Sequence, residues 1–317
     1  MPAHAAYSLI SKKENAHDEN IYCCDWVQLQ FKTSGDSVNT SKDYIVTGGL
    51  DCLVKVWTLQ NNNLVLLHCL GGHSMAVVSV AICPTASIIV STSLDSHLIL
   101  WDLMTGKKIT EIPIGESIAW KVVFSPDGKQ FATGSDRGEV YLYGVHDGEI
   151  ARILDTRGTF VLSIDWSRNG GFIATGSSKG MACLIDVQQG KLLHTLEAHT
   201  LAIRSIAFSP CSKHFATASE DKYLKIYGVI SGDLLCKLEH QTWVVSVCFT
   251  TDGTRVATGD ADGSVRICRA KDLTLLNKFK EHDDSVWGLR FDKNNKILMS
   301  VSKDKSINLY ECPLPPK

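Results

Sequence analysis

The sequence predicts an all-β fold, a seven-bladed β-propeller with four antiparallel strands per blade, on three observations. One pattern of short alternating segments and tight turns recurs seven times. Its last turn falls at Asp51, Asp95, Arg137, Lys179, Asp221, Asp262 and Asp304, in steps of 44, 42, 42, 42, 41 and 42 residues. Six residues beyond each turn stand Trp57, Trp101, Tyr143, Ile185, Tyr227, Cys268 and Tyr310, an offset that never varies. Helical periodicity of any length is absent, and turn chemistry such as SPDG, SRNGG and TTDG separates the first two segments of the repeats. Sheets with one apolar face need cover, and seven similar sheets arranged radially cover one another while leaving few exposed edges. A repeat of about 42 residues with four strands per unit is the sequence mark of that architecture.

The clearest copy, HTLAIRSIAFSPCSKHFATASEDKYLKIYG, shows the elements in order: an alternating strand, a turn, a second strand, a tight turn near Asp221, and a third strand ending at Tyr227. The repeats span about 13–58, 68–102, 111–144, 153–186, 195–228, 236–269 and 278–312, a single domain over 1–312. The largest irregularity is QFKTSGDSVNTSKD, twelve extra residues between His17 and Asp51. It is polar and rich in Ser and Thr, which predicts a surface loop. The tail PLPPK, 313–317, reads as disordered.

With 32 basic and 34 acidic residues evenly mixed, the chain has no broad electrostatic reason to bind nucleic acid or an anionic membrane, so proteins are the expected partners. Hydrophobic residues make up 44%, enough for a substantial core, since a compact chain of this size buries roughly 75% of the surface its unfolded form exposes. The start, MPAHAAYSLISKKE, lacks the apolar run of a signal peptide, and no stretch approaches the roughly 18 apolar residues of a membrane span. A soluble, intracellular protein is expected. The eleven cysteines form no C-x-x-C pair and mostly sit in strand-like runs, for example Cys183 in MACLID and Cys248 in SVCF. They read as reduced core residues, with neither a metal site nor a cofactor implied.

His199, Ser219 and Asp221 could suggest a hydrolase triad, but the same trio recurs at His73, Ser93 and Asp95, and at His282, Ser302 and Asp304. Catalysis needs one preorganised constellation, whereas a structural hydrogen-bond network is needed once per blade, so repetition favours structure. Five repeats carry a His–Asp pair: His17/Asp51, His73/Asp95, His199/Asp221, His240/Asp262 and His282/Asp304. The third and fourth have Gly115/Arg137 and Arg157/Lys179 instead, so those blades should be braced less, or differently. TGSSKG at Thr175 to Gly180 lies in a turn between strands, without the strand-to-helix context of a phosphate loop. The adjacent Asp283 and Asp284 lie in a loop and imply no acid–base geometry.

Across about residues 7–312 this pattern resembles the WD-repeat family, although the literal Trp-Asp dipeptide survives only at Trp101-Asp102. The resemblance implies that Tyr7 to Lys12 supplies the outer strand that the last repeat lacks, pairing beside Ile307 to Tyr310. It also implies that each blade's polar residues link loop and turn with the aromatic residue of the third strand. Partners of such proteins commonly use the narrower face, three and five residues after the blade's His and just before its Asp. The first series here is Asn20, Ala76, Ile118, Phe160, Ala202, Trp243 and Ser285. The second is Tyr22, Val78, Trp120, Leu162, Arg204, Val245 and Trp287, and the third Leu50, Leu94, Asp136, Ser178, Glu220, Ala261 and Lys303. Aromatic and arginine side chains dominate interface hot spots. The candidate surface is therefore Tyr22, Trp120, Phe160, Arg204, Trp243 and Trp287, with Asp136 and Glu220 available to pair a basic partner residue. The alternative for Trp120 and Trp287 is that they plug the top of the channel.

Within the family, LDCLVKVW, AWKVVFSPDG, LDTRGTFVLSIDWS, KLLHTLEAHTLAIRSIAFSP and HDDSVWG resemble the short animal form of the WD-repeat subunit of the superkiller complex. The chain departs from that pattern at Lys179 and at Ile267 to Ala270. The resemblance implies a non-catalytic adaptor with two settings. In the cytoplasm it would join a tetratricopeptide scaffold and an RNA helicase that feed messenger RNA to the exosome. In the nucleus it would join the RNA polymerase II-associated factor (Paf) complex, in elongation and histone modification. The propeller itself would be monomeric outside these assemblies. The rival classes are a subunit of another assembly, such as a ubiquitin-ligase substrate receptor, and a propeller enzyme with a polar cluster in its channel.

Overall fold

The computed structural model of the chain describes residues 6–32, 39–115 and 117–313, with 31, 32, 39 and 40 described through their backbone alone. Their twenty-eight strands form seven four-stranded antiparallel sheets, the expected seven-bladed propeller. The innermost strands, in chain order, are Ile21–Lys32, Val77–Ile82, Ala119–Phe124, Val161–Trp166, Ile203–Phe208, Val244–Phe249 and Val286–Phe291. Each packs beside the next, and Val286–Phe291 packs beside Ile21–Lys32, so the ring closes around an axis.

Burial follows from the radial packing. Second strands, covered on both faces, are buried almost throughout, as in His214–Ser219. Outer strands alternate between exposed and half-buried, as in Lys191–Glu197, because they meet a neighbour on one face. The core lies between blades: Val46 and Val56 of blade 1 join Val77, Ile89 and Trp101 of blade 2 in one buried cluster. Gly48 and Gly176, on second strands, seat the first inner-strand residue of the following blade. A Cβ there would stand 2.5 Å from Val77 Cγ1 or Ile203 Cγ2, a separation that packed atoms do not tolerate.

The leading segment closes the last blade. Ser8–Lys13 pairs antiparallel with Ile307–Glu311, Lys12 opposite Asn308. Around it, the Ala16 N–H donates to the Lys305 carbonyl at 2.9 Å and Lys305 Nζ donates to the Asp18 carbonyl at 2.7 Å. Arg255, only 2% exposed, ties both ends of the described chain: its Nη1 donates to the Tyr7 hydroxyl at 3.4 Å and the Pro313 carbonyl at 2.9 Å, its Nη2 to the Asn295 carbonyl at 2.7 Å. Inside the channel Arg290 Nε of blade 7 donates to Asp25 Oδ1 of blade 1 at 2.9 Å.

The first-blade insertion departs from expectation. Its flanks lengthen a hairpin, Ile21–Lys32 against Asn39–Gly49, with Lys32 opposite Asn39. Alternation in YCCDWVQLQFK lets the ladder run on past the end of the other blades. Residues 33–38 lie outside the described residues, as do 314–317 of the tail expected to be disordered.

The polar brace is a relay of hydrogen bonds. In blade 2, Trp101 Nε1 donates to Ser91 Oγ at 2.8 Å, Ser91 Oγ lies 2.8 Å from His73 Nε2, and His73 Nδ1 lies 3.0 Å from Asp95. Blade 1 repeats it through Trp57, Thr47, His17 and Asp51. An indole N–H can only donate and a carboxylate can only accept, so the protons have one order: indole to hydroxyl, hydroxyl to Nε2, Nδ1–H to carboxylate. Blades 5 and 7 place Thr217 and Ser300 against His199 and His282 in the same way. Burial lowers the His199 imidazole below its ordinary value despite Asp221. Burial alone would raise Asp221, but His199 and the N–H groups of Tyr223 and Thr200 hold its carboxyl low. A neutral ring donating to an ionised carboxylate satisfies both.

Three expectations about this brace need correction. The hydroxyl that meets the imidazole is four residues before the Asp, not two. Ser93, Ser219 and Ser302 instead donate to the loop carbonyls of Met75, Leu201 and Asp284, and accept the N–H of Asp95, Asp221 and Asp304. In blade 6, His240 does not pair with Asp262: its Nδ1 lies 2.8 Å from Asp260 Oδ1. Asp260 stands where those serines stand, and a carboxylate two residues nearer reaches the ring first. It is fully buried and also pairs with Arg266 Nε at 3.2 Å, while Asp262 accepts the Ser264 N–H and hydroxyl. Cys268 replaces the donor aromatic, and Thr258 Oγ1 and His240 Nε2 have no partner.

The third correction concerns blade 4, where Arg157 does not take the place of a histidine. It turns out to solvent at φ 52°, and the buried Thr156 before it donates its hydroxyl to the Gly138 carbonyl at 2.6 Å. Among the described residues blade 3 shows no such substitute, and a cavity of about 420 Å³ opens beside Thr133, Ser135, Tyr141 and Tyr143.

Deleting residues 1–12 should lower the melting temperature sharply, and an unchanged melt would refute the closure. Replacing Asp260 by Asn should cost about 3–5 kcal/mol, because it strands Arg266 and His240 in the interior, whereas Asp262→Asn should cost about 1 kcal/mol or less. Equal losses in denaturant unfolding would contradict the reassigned pair.

Candidate functional site

One feature of the inner strands organises the upper face, the end of the ring that carries the His loops. In all seven blades the ladder between the first and second strands shifts register at the second inner-strand position, a β-bulge. The bulged residues are Tyr22, Val78, Trp120, Leu162, Arg204, Val245 and Trp287, the whole second series. A bulge leaves one residue outside the ladder and re-aims its side chain. Six of the seven, all but Leu162, line one cavity of about 320 Å³ together with Leu50, Ala76, Leu94, Glu220, Trp243 and Lys303.

The other two series are joined to each other by the backbone. The N–H of Leu50, Leu94, Ser178, Glu220, Ala261 and Lys303 donates to the carbonyl of Asn20, Ala76, Phe160, Ala202, Trp243 and Ser285, respectively. A turn residue and a loop residue are thus fixed side by side above six of the seven bulges, which makes one surface from three distant sequence positions.

Trp287 is the hub of the cavity. Tyr22 meets it edge-on with ring centroids 5.7 Å apart. The guanidinium of Arg204 lies 5.8 Å and the ammonium of Lys303 5.2 Å from its ring centroid, cation–π contacts that hold the indole in place. Its Nε1 is buried and has no hydrogen-bond partner among the described residues. Trp243 is 49% exposed and Leu50 41%, large apolar area offered to solvent at the rim.

The structure separates the expected residues into those that meet and those that do not. Tyr22, Trp120, Arg204, Glu220, Trp243 and Trp287 converge on the cavity; Phe160 reaches it only through Trp120, edge-on at 6.0 Å. Asp136 is not among the lining residues and accepts the Ser117 hydroxyl at 2.7 Å. Glu220 is already engaged within the chain, where Arg204 Nε and Nη2 lie 2.6 and 2.5 Å from its Oε1. The second inner-strand position and the residue before the turn are neighbours across one blade, and opposite charges there satisfy each other. Lys303 and Leu50 carry more of the site than their sequence positions suggested, the first through Trp287 and the second through exposure.

The site is apolar and aromatic at its floor, with one closed ion pair and one further cation on its walls. Among the described residues no group of three or more His, Cys, Asp or Glu side chains is gathered as a metal ion would need, and no helix is long and apolar enough to cross a membrane. Burial raises the thiols of Cys23 and Cys248 to about 12, far from a reactive thiolate.

Comparison with known proteins agrees with the seven sheets. The family model "WD domain, G-beta repeat" matches seven times, at residues 10–58, 64–102, 109–143, 148–186, 190–228, 232–268 and 273–311. The chain is 36% identical over 155 residues to WD repeat-containing protein SL1-17 of Schistosoma mansoni, 49% of each chain. It is 31% identical over 170 residues to WD repeat-containing protein VIP3 of Arabidopsis thaliana, covering 49% of this chain and 50% of that one. A periodic tryptophan protein 2 homolog of Schizosaccharomyces pombe is 28% identical over 123 residues, 38% of this chain and 14% of its own. The matches thus span about half the length of the first two relatives.

Proposed function

The chain belongs to the WD domain, G-beta repeat family, and from that premise we propose that it is a non-catalytic adaptor whose upper face captures a segment of a partner protein. A propeller fold hosts many functions, so the argument rests on the site. Its weightiest observation is the aromatic cavity around Trp287, rimmed by the half-exposed Trp243 and by Leu50. A preformed pocket of about 320 Å³ with an exposed tryptophan at its edge has the size to seat one or two side chains. Tryptophan and arginine at the centre of a patch are the residues whose truncation costs most in protein–protein binding. The Arg204–Glu220 pair, already closed, shapes the wall, and Lys303 leaves the rim slightly cationic.

We further propose that the partners are those implied by the resemblance of LDTRGTFVLSIDWS and the accompanying segments: the tetratricopeptide scaffold and RNA helicase of the superkiller complex, and subunits of the RNA polymerase II-associated factor complex. Residence in both cytoplasm and nucleus follows from that reading. A neutral surface charge balance favours protein over nucleic acid in either setting.

Replacing Trp243 and Arg204 together by Ala should weaken partner capture by about 2 kcal/mol or more while leaving the circular dichroism melt within a few degrees of wild type. Affinity purification with mass spectrometry reads the outcome. Undiminished recovery of partners by the double variant would move binding to another face. Recovery of neither the helicase nor the elongation-complex subunits by the wild-type chain would reject the assigned assemblies, and a co-purifying ligase adaptor would replace them.

A further inference from the structure

The channel below the bulges carries charged groups that the upper face does not use. The inner-strand position occupied by Asp25 in blade 1 recurs as Asp165 in blade 4 and Arg290 in blade 7, and is uncharged in the other four. All seven of these residues line one cavity of about 340 Å³ at the far end of the channel from Trp287, with Lys121 in its wall and Arg168 also lining it.

Lys121 breaks a pattern. Two residues before the position just described, four blades carry Ser79, Ser163, Ser205 and Ser246, and each hydroxyl staples its blade to the next. Ser79 Oγ accepts the Val122 N–H at 3.2 Å and Ser205 Oγ the Val247 N–H at 3.3 Å, while Ser163 Oγ donates to Ile203 C=O at 3.1 Å and Ser246 Oγ to Val286 C=O at 2.7 Å. Blade 3 gives up the staple for an ammonium. Among the described residues Lys121 makes no hydrogen bond and no ion pair.

The carboxylates of the cavity compensate it only in part: burial and then the Arg290 guanidinium push the Lys121 ammonium down, and Cys23, Cys24 and Asp25 pull the other way less strongly. Asp25 is engaged elsewhere, its Oδ1 receiving Arg290 Nε at 2.9 Å and its Oδ2 the Ile82 N–H at 2.8 Å. Asp165 Oδ2 accepts the Phe208 N–H at 2.7 Å, and burial pushes its carboxyl up, toward the neutral acid. Arg290 uses Nε on Asp25 and Nη1 on the Leu289 carbonyl, and among the described residues Nη2 has no hydrogen-bond partner. A desolvated ammonium beside a second cation, with so little counter-charge, is costly unless something supplies more. We propose that this lower channel is a binding site for a free inorganic oxyanion of phosphate or sulfate size, held by the Lys121 ammonium and the open edge of the Arg290 guanidinium. A tetrahedral oxyanion offers several acceptor atoms at once, which suits two cationic donors approaching from different blades.

The experiment is calorimetric titration of the full chain with sodium phosphate, then sodium sulfate, at constant ionic strength set with sodium chloride in an amine-free buffer. The expected result is saturable one-site binding of phosphate, weakened about tenfold or more by Lys121→Met and largely kept by Lys121→Arg, since removing one of two charge-assisted contacts costs a factor of that order. The exposed Lys191→Met variant should bind as wild type does. A second readout is independent of binding heat. In buffer without phosphate or sulfate the Lys121→Met variant should melt at or above the wild-type temperature, because it removes an unpaired charge. Added phosphate should then raise the wild-type melt and leave the variant's unmoved. Absence of saturable binding to the wild-type chain, or equal binding by Lys121→Met, would overturn the site. A Lys121→Met melt well below wild type in phosphate-free buffer would also overturn it, by showing that the ammonium is already compensated. Neither outcome bears on the partner face, which lies at the other end of the channel.

Discussion

Closure of the ring is the constraint on which everything else in this structure rests. Each blade buries its faces only against its neighbours, so blades 1 and 7 are stable only if they meet. Four separate contacts bring them together: the strand Ser8–Lys13 added to Ile307–Glu311, the Lys305 contacts to Ala16 and Asp18, the Arg290–Asp25 pair in the channel, and Arg255 holding Tyr7 and Pro313. Blade 7 also shares its core with blade 1, where Met299, Ile307 and Leu309 join Ile21, Ile45 and Trp57. Apart from the Arg255–Pro313 bond, 58 positions apart, these contacts join residues more than 200 positions apart, such as Arg290 and Asp25, 265 apart. Their loop-closure cost is the largest in the chain, and cooperative burial must offset it.

Within the closed ring the blades differ, and the differences fall where the functional surfaces lie. Blades 1, 2, 5 and 7 carry the hydroxyl–imidazole–carboxylate relay. Blade 6 replaces its last member with the buried Asp260, the Thr156 hydroxyl before blade 4 ties back to the Gly138 carbonyl of blade 3, and a cavity opens beside blade 3. The lower channel draws its charges from the same irregular set, Lys121 from blade 3 and Asp165 from blade 4, together with the closure blades 1 and 7. The bulge, by contrast, is common to all seven inner strands. A uniform backbone device thus presents non-uniform side chains on the upper face.

Much of this was legible in the sequence, for identifiable reasons. Blade number and strand order follow from a period and an offset, and those survive any substitution that keeps a strand a strand, whereas the closing strand was legible through the family resemblance. The convergence of Tyr22, Trp120, Arg204, Trp243 and Trp287 was legible through the repeat register and a family resemblance, although the bulge that causes it leaves no residue-type signal. Partner choice inside a network was not legible. Asp260 and Asp262 are both carboxylates beside one turn, and only the depth of each decides which meets His240. Likewise Glu220 reads as free until the fold sets it beside Arg204. Polarity misled in the first-blade insertion, where alternation in the flanking segments outweighed a Ser/Thr-rich composition. Arg255 carried no motif at all; the signal that could have found it is a lone cation at the start of a second strand, where the other blades have Tyr44, Ile88, Gln130, Phe172, His214 and Ile297.

Native-state hydrogen exchange tests the central claim most directly. If closure underwrites the whole ring, the amides of Ser8–Lys13 and Ile307–Glu311 that bond across the ladder will exchange only through the same global opening as those of the second strand of blade 5, His214–Ser219. Their apparent opening free energies will then fall together as denaturant is added. Exchange of the closing strand through a separate, low-energy opening, with blade 5 still fully protected, would contradict the account.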